Sequence, residues 1–293
     1  MFTGSIVALI TPMTENGEID YPSLKKLVDF HVDAGTDGIV AVGTTGESAT
    51  LPAQEHIKVV QEIINFAEGR IPVIAGTGAN STSEAIELND AIAPLGVDGF
   101  LSVVPYYNKP QQGGLVKHFQ AIADNTDVPI LLYNVPGRTV TDMLPAAVAE
   151  LSLHKNIVGI KEATGNMQRL IDIKKLVADD FVLLSGDDET AFEFVRLGGH
   201  GVISVTANIE PARMAKMIQL TREGQIEAGR EIDLILNPLH TGLFIEPNPV
   251  LPKWALYRMG LIQSDYLRLP LIQAELANQK TIEQVMIDIG TIK

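Results

Sequence analysis

Short apolar runs rich in valine and isoleucine alternate with longer amphipathic stretches along most of this chain. The runs cover residues 5–10, 38–42, 71–75, 99–104, 129–133, 157–161, 181–185 and 201–205. After each run apolar residues recur at helical spacing, over residues 21–34, 52–67, 81–93, 114–123, 144–151, 167–177, 189–197 and 212–223. The runs are β-branched and continuously apolar, as strands buried on both faces must be. Strands that alternate with helices predict a parallel sheet of the α/β class. About eight such units predict closure into a (β/α)8 TIM barrel. An open doubly wound sheet is the competing arrangement, and it is weakened because no glycine-rich dinucleotide fingerprint follows the first strand.

From about Gln225 onward the pattern changes to extra helices, with Asn248-Pro249-Val250-Leu251-Pro252 at a helix entry and Leu269-Pro270 as a break. No Pro/Gly/Ser-rich linker divides the chain. The expected organisation is a barrel over residues 1–224 and a C-terminal helical extension over residues 225–293. The length of 293 residues suits a barrel of about 250 residues with an addition.

Composition narrows the function. Hydrophobic residues make up 46% and charged residues 20%, which is globular. The net charge of -14 makes nucleic acid and anionic membrane poor partners. With no cysteine, thiolate chemistry and disulfides are excluded. The six histidines lack close metal-type spacing, so no metal is expected. Met1-Phe2-Thr3-Gly4-Ser5 does not read as a secretory leader, and no apolar stretch reaches the roughly 18 residues of a membrane span. A cytoplasmic location is the resulting expectation.

In a barrel of this kind, chemistry gathers where strands end. The segments expected there are Gly43-Thr44-Thr45-Gly46-Glu47-Ser48, Gly76-Thr77-Gly78-Ala79-Asn80, Pro105-Tyr106-Tyr107-Asn108, Tyr133-Asn134-Val135-Pro136-Gly137-Arg138-Thr139, Lys161-Glu162-Ala163-Thr164-Gly165 and Ser185-Gly186-Asp187-Asp188. Hydroxyls and glycines therefore collect at one end of the barrel.

Lys161 directly follows the apolar run Ile157-Val158-Gly159-Ile160, whereas the other lysines fall mostly on helices or in polar loops. Burial disfavours an ammonium, and a neutral amine attacks carbonyls to form a Schiff base. The plainer reading pairs Lys161 with a carboxylate such as Glu162 or Asp187. Thr44 and Thr45 lie in a glycine-bracketed turn suited to a carboxylate, unless the segment only caps a helix through Ser48 or Thr50. Tyr133 is either a proton donor or a structural hydrogen-bonding partner. Tyr106 and Tyr107, adjacent in an extended segment, should point to opposite sides. Arg138 either clamps a carboxylate or is an ordinary surface arginine. Asp187-Asp188 most simply begins a helix, and Trp254 packs.

Together these segments resemble the dihydrodipicolinate synthase branch of the pyruvate-dependent lyase/synthase superfamily. The resemblance runs from Gly4-Ser5-Ile6-Val7-Ala8 to Glu246-Pro247-Asn248-Pro249 and rests on Gly43-Thr44-Thr45-Gly46-Glu47, Tyr133-Asn134-Val135-Pro136-Gly137-Arg138-Thr139 and Gly159-Ile160-Lys161-Glu162-Ala163. It implies 4-hydroxy-tetrahydrodipicolinate synthase activity. Pyruvate forms a Schiff base with Lys161, and the derived enamine attacks L-aspartate 4-semialdehyde in lysine and diaminopimelate biosynthesis. The resemblance gives Tyr133, Thr44 and Tyr107 a proton relay, with Tyr107 supplied by a neighbouring subunit of a homotetramer. Thr45, Gly186 and Ile203 would contact pyruvate, and Arg138 would receive the semialdehyde carboxylate. No cofactor is implied. The resemblance further implies an allosteric L-lysine site at Ser48, Ala49, Leu51, His56, Asn80, Glu84 and Tyr106. Ala53 departs from it, because lysine-sensitive bacterial members often carry histidine there.

Two alternatives stand beside this reading. One is N-acetylneuraminate lyase or another 2-keto-acid aldolase, whose pattern generally lacks the arginine after the Tyr-Asn-x-Pro turn. The other is a barrel that binds a ligand without turnover, against which the set Lys161, Tyr133, Thr44 and Tyr107 argues.

Overall fold

A computed structural model describes residues 2–293; Met1, which the predicted barrel range includes, lies outside the described residues. The strands are β1 (Gly4–Ala8), β2 (Gly38–Ala41), β3 (Val73–Gly76), β4 (Gly99–Val103), β5 (Ile130–Asn134), β6 (Ile157–Glu162), β7 (Val182–Ser185) and β8 (Gly201–Ser204). Each pairs in parallel with the next, and β8 pairs with β1, so the sheet closes on itself. The closed parallel barrel predicted from alternating runs is what the chain forms.

The helices are α1 (Tyr21–Asp33), α2 (Ala53–Ala67), α3 (Thr82–Ile92), α4 (Gln112–Asp124), α5 (Pro136–Thr139), α6 (Pro145–Leu151), α7 (Met167–Lys174), α8 (Ala191–Arg196) and α9 (Pro211–Arg222), followed by α10 (Ile226–Gly242), α11 (Val250–Arg258) and α12 (Leu276–Asp288). Side chains set several of their starts. Asp20 accepts from the Ser23 main-chain N–H at 3.1 Å to open α1, and Ser81 caps α3.

Strand alternation sorts the core into two shells. Ile6, Val40, Ile74, Leu101, Leu131, Val182, Leu184 and Ile203 fill the barrel interior. Their neighbours Val7, Ile39, Ala41, Leu132, Ile160, Leu183 and Val202 face the helices. Two-sided burial explains why the strands read as continuous apolar runs. A third cluster joins α10, α11 and α12 to the end of β8 through Leu239, Leu251, Trp254, Ile282 and Val205. Among the described residues no helix is long and apolar enough to cross a membrane.

The differences from expectation lie at element ends. The first apolar run continues past β1: the Leu9 N–H still donates to the Val40 carbonyl at 3.1 Å, and Leu9 and Ile10 both stay buried. The Ile10 N–H is instead held by Asn208 Oδ1 at 3.2 Å. Neither Ser48 nor Thr50 caps α2, which starts after Pro52, and residues Ser48–Thr50 form a separate 3₁₀ turn. Arg138 sits in the short helix α5 rather than an irregular loop. Asp187 accepts from the Thr190 N–H just before α8, but Asp188 reaches across to the N–H groups of Val205 and Thr206. The pair thus joins two strand ends as well as starting a helix.

Candidate active site

A cavity of about 340 Å³ opens at the carboxyl ends of the strands. Lys161 and Tyr133 face it from adjacent strands, in register with each other. Thr44 and Thr45 line it from the turn after β2, and Arg138 stands at it from α5.

Lys161 occupies an inward position of β6, two residues after Gly159, and is only 6% exposed. Its side-chain nitrogen makes no ion pair among the described residues. Glu162 points to the outer face, and Asp187 is engaged by the Thr190 hydroxyl at 2.6 Å. The carboxylate-paired reading of Lys161 is therefore wrong. Adjacent strand residues face opposite sides, which carries Glu162 away. Lys161 Nζ instead lies 4.3 Å from the centroid of the Tyr133 ring. Gly186 makes room for it: a Cβ there would fall 2.8 Å from Lys161 Cε and 2.6 Å from the Ala163 Cβ. Ile203, on β8 two strands along from Lys161, packs inside the barrel and is buried.

Behind this pair, on the helix side, lies a polar bracket. Asn134 Nδ2 donates to Glu162 Oε2 at 3.1 Å and to Asp142 Oδ1 at 2.9 Å. Asn134 Oδ1 accepts from the Met143 N–H, and Glu162 Oε1 from the Thr164 N–H, each at 2.9 Å. Arg169 closes the set on Asp142 at 2.7 Å. Burial pushes the Glu162 carboxyl above the usual carboxylate range, against the pull of Asn134, Thr164 and Arg169. Because Asn134 and Glu162 directly follow Tyr133 and Lys161, the bracket fixes both ends of the segment that carries Arg138 and the register of the two inward side chains.

The turn bearing Thr44 and Thr45 is bent between two left-handed residues, Val42 at φ +51° and Glu47 at φ +59°. For a β-branched residue such as Val42 this is a strained geometry, costing about 1–3 kcal/mol. The C-terminal helices hold the turn at several points. Asn248 Nδ2 donates to Thr45 Oγ1 at 2.9 Å, and Lys253 Nζ to Glu47 Oε1 at 2.5 Å. The Arg268 N–H donates to Glu47 Oε2 at 3.1 Å, and its guanidinium forks onto Glu55. Arg138 in turn donates to the Asn248 carbonyl at 3.2 Å.

Not every expected residue converges. No hydrogen bond joins Thr44, Tyr133 and Lys161, although all three line the cavity. Tyr107 does not line it. The segment is not extended there: Tyr107 has φ +74° and is 90% exposed, while Tyr106 does line the cavity. Ser48, Ala49 and His56 line the same cavity. Burial depresses the His56 imidazole to about 4, partly offset by its hydrogen bond to the Gly76 main chain, and its Nε2 is buried without a protein partner. Leu51 is buried nearby in sequence, Asn80 accepts from Asn108 through its carbonyl, and Glu84 lies exposed in the first turn of α3.

Sequence reasoning missed Asn134, Glu162, Asn248 and Lys253 as contributors. For Lys253 a signal existed: it interrupts the apolar stretch Val250-Leu251-Pro252-Lys253-Trp254-Ala255-Leu256, as Lys161 terminates one. For the asparagines there was none beyond their adjacency to the motifs.

The fold and the cavity define a class: a parallel (β/α)8 barrel whose carboxyl-end cavity holds a buried, unpaired lysine beside a tyrosine. The model of the dihydrodipicolinate synthetase family matches residues 1–288. A 4-hydroxy-tetrahydrodipicolinate synthase of Pseudoalteromonas atlantica is 64% identical over 292 residues, covering 100% of both chains. The chain belongs to the dihydrodipicolinate synthetase family. Among solved structures, a chloride-inhibited dihydrodipicolinate synthase from Acinetobacter baumannii in complex with pyruvate superposes with a TM-score of 0.98 at 46% identity, covering 100% of both chains. The enzyme from Cyanidioschyzon merolae with lysine bound superposes with a TM-score of 0.96 at 38% identity, covering 99% of both.

Proposed function

We propose that this chain is a 4-hydroxy-tetrahydrodipicolinate synthase that condenses pyruvate with L-aspartate 4-semialdehyde, a carbon–carbon bond-forming lyase of lysine and diaminopimelate biosynthesis. The observation that carries the reading is Lys161: a buried amine with no counter-charge, facing a cavity beside Tyr133. An amine so placed adds to the pyruvate carbonyl, loses water and forms the Schiff base. The protonated imine draws electrons from the pyruvate methyl group, so the enamine forms with no other cofactor in the scheme.

The Thr44–Thr45 turn, with Gly186 and Ile203, surrounds the keto acid, and Tyr133 and Thr44 shuttle its protons. Tyr107 reaches a neighbouring copy in a homotetramer, which accounts for so exposed an aromatic next to the cavity-lining Tyr106. Arg138 receives the carboxylate of the semialdehyde. Residues 225–293 are an extension that supports the barrel's carboxylate-binding end through Asn248 and Lys253. L-lysine binds beside Ser48, Ala49, His56 and Tyr106, which line the cavity, with Leu51, Asn80 and Glu84 completing the site. The unpartnered His56 Nε2 favours a polar ligand there. An enzyme of this kind works in the cytoplasm.

Borohydride reduction with pyruvate, followed by peptide mass mapping, tests the core of the proposal. A covalent adduct on Lys161 is expected; folded protein without one overturns the mechanism. Turnover of N-acetylneuraminate with none of the semialdehyde would overturn the substrate assignment. Calorimetric titration with L-lysine tests the effector site, and no binding at millimolar concentration removes it.

A further inference from the structure

Thr45 is buried, and its hydroxyl is already spoken for on one side: the Asn248 side-chain amide donates to Oγ1 at 2.9 Å. A hydroxyl carries one proton to donate and lone pairs to accept with. Once Oγ1 accepts from Asn248, the hydroxyl's own proton is left to donate elsewhere, and the open side of Thr45 is the cavity. The Asn248 amide is itself held. The residue is 5% exposed, its main-chain carbonyl accepts from Arg138, and it enters α11, whose Lys253 is locked to Glu47 two residues beyond Thr45.

We propose that Asn248 is a positioning residue for the keto acid: its amide turns the Thr45 hydroxyl into a donor aimed at the substrate carboxylate. This rests on the reading of Thr45 as a carboxylate contact. The side-chain and main-chain contacts of Asn248 serve different groups, so the two substrates should feel its side chain unequally. Thr45 takes the amide, whereas Arg138 takes a carbonyl that any residue supplies.

The test measures KM for pyruvate and for L-aspartate 4-semialdehyde in Asn248→Leu, which matches asparagine in size but donates nothing, with thermal midpoints alongside. Pyruvate KM should rise about tenfold, the value of one well-placed hydrogen bond, while semialdehyde KM moves less than about twofold. In a Thr45→Val background the same change should add less than about twofold to pyruvate KM, because the coupled partner is gone. Asn248→Asp, which only accepts, should raise pyruvate KM at least as far as Asn248→Leu. If Asn248→Leu fails to fold, Asn248→Ala is read in the same way. An unchanged pyruvate KM, equal rises for both substrates, or wild-type behaviour of Asn248→Asp would each overturn the proposal. Thr45→Val separates the two levels. If it leaves pyruvate KM unchanged, the carboxylate reading of Thr45 is wrong. If it raises KM while Asn248→Leu does not, only the role of Asn248 falls.

Discussion

Two lysines of this chain are buried, and they differ in everything else. Lys161 is 6% exposed, has no ionic partner among the described residues and faces the active-site cavity; Lys253 is 0% exposed, does not line that cavity and is bonded to Glu47 at 2.5 Å. Burial alone costs any ammonium several kcal/mol, so each position needs an explanation. For Lys253 the explanation is local: the Glu47 carboxylate opposes the desolvation that pushes its pKa down. Lys161 has no carboxylate partner among the described residues, and its Nζ lies instead over the face of Tyr133. A buried lysine with a carboxylate holds structure together, whereas one without, at a cavity, is available for chemistry.

The largest expected effect separates the two outright. Lys161→Met should abolish the pyruvate adduct and lower turnover by at least about a thousandfold, the scale of losing a catalytic group. Its thermal midpoint should hold or rise, because methionine fills the same buried space with no polar head to desolvate. A stable variant with substantial activity would end the comparison. Lys253→Met should do the reverse, costing about 3–5 kcal/mol in denaturant unfolding by leaving Glu47 buried and uncompensated. Adding Glu47→Gln should recover much of that loss, and no recovery would mean the pair is not the stabilising unit.

Next in size, Arg138→Ala should cut kcat/KM for the semialdehyde about a hundredfold, the value of a charge-assisted contact, while the Lys161 adduct still forms. Loss of the adduct as well would merge two roles kept separate here.

The smallest effect concerns acid. Burial holds His31, His56 and His118 at about 3, 4 and 4, below the ordinary value of 6.5. In that window the unfolded chain binds protons that the folded chain does not, so stability falls as pH drops from about 6.5 towards 4. His56→Gln should flatten this slope in urea unfolding followed across pH 4–7. An unchanged slope would mean His56 is protonated in the folded protein.

Much of this was legible in the linear chain. Eight β-branched runs at regular spacing specified the barrel, because burial on both faces makes most positions of each strand apolar. Lys161 stood out for the same reason, as a charge ending such a run. Lys253 carried the same mark within an apolar stretch and went unread, because a lysine on a helix is usually solvated. For Tyr106 and Tyr107 only the extended-backbone premise failed, since Tyr107 lies at φ +74°; Tyr106 still lines the cavity while Tyr107 stands exposed outside it. Asn134 and Glu162 followed the motif residues directly, yet their bracket depends on Asp142 and Arg169, which only the folded chain brings beside them.

By itself, then, the sequence determined the architecture, the inward lysine and the turn chemistry, since each follows from local periodicity or residue type. The tertiary structure decided which buried lysine is paired and which is free. It also decided that a C-terminal asparagine, 203 positions along the chain from Thr45, reaches that threonine's hydroxyl. No local pattern encodes such a contact, because hydrogen bonds and ion pairs form between groups that closure of the barrel and docking of its last helices bring within 3 Å of each other.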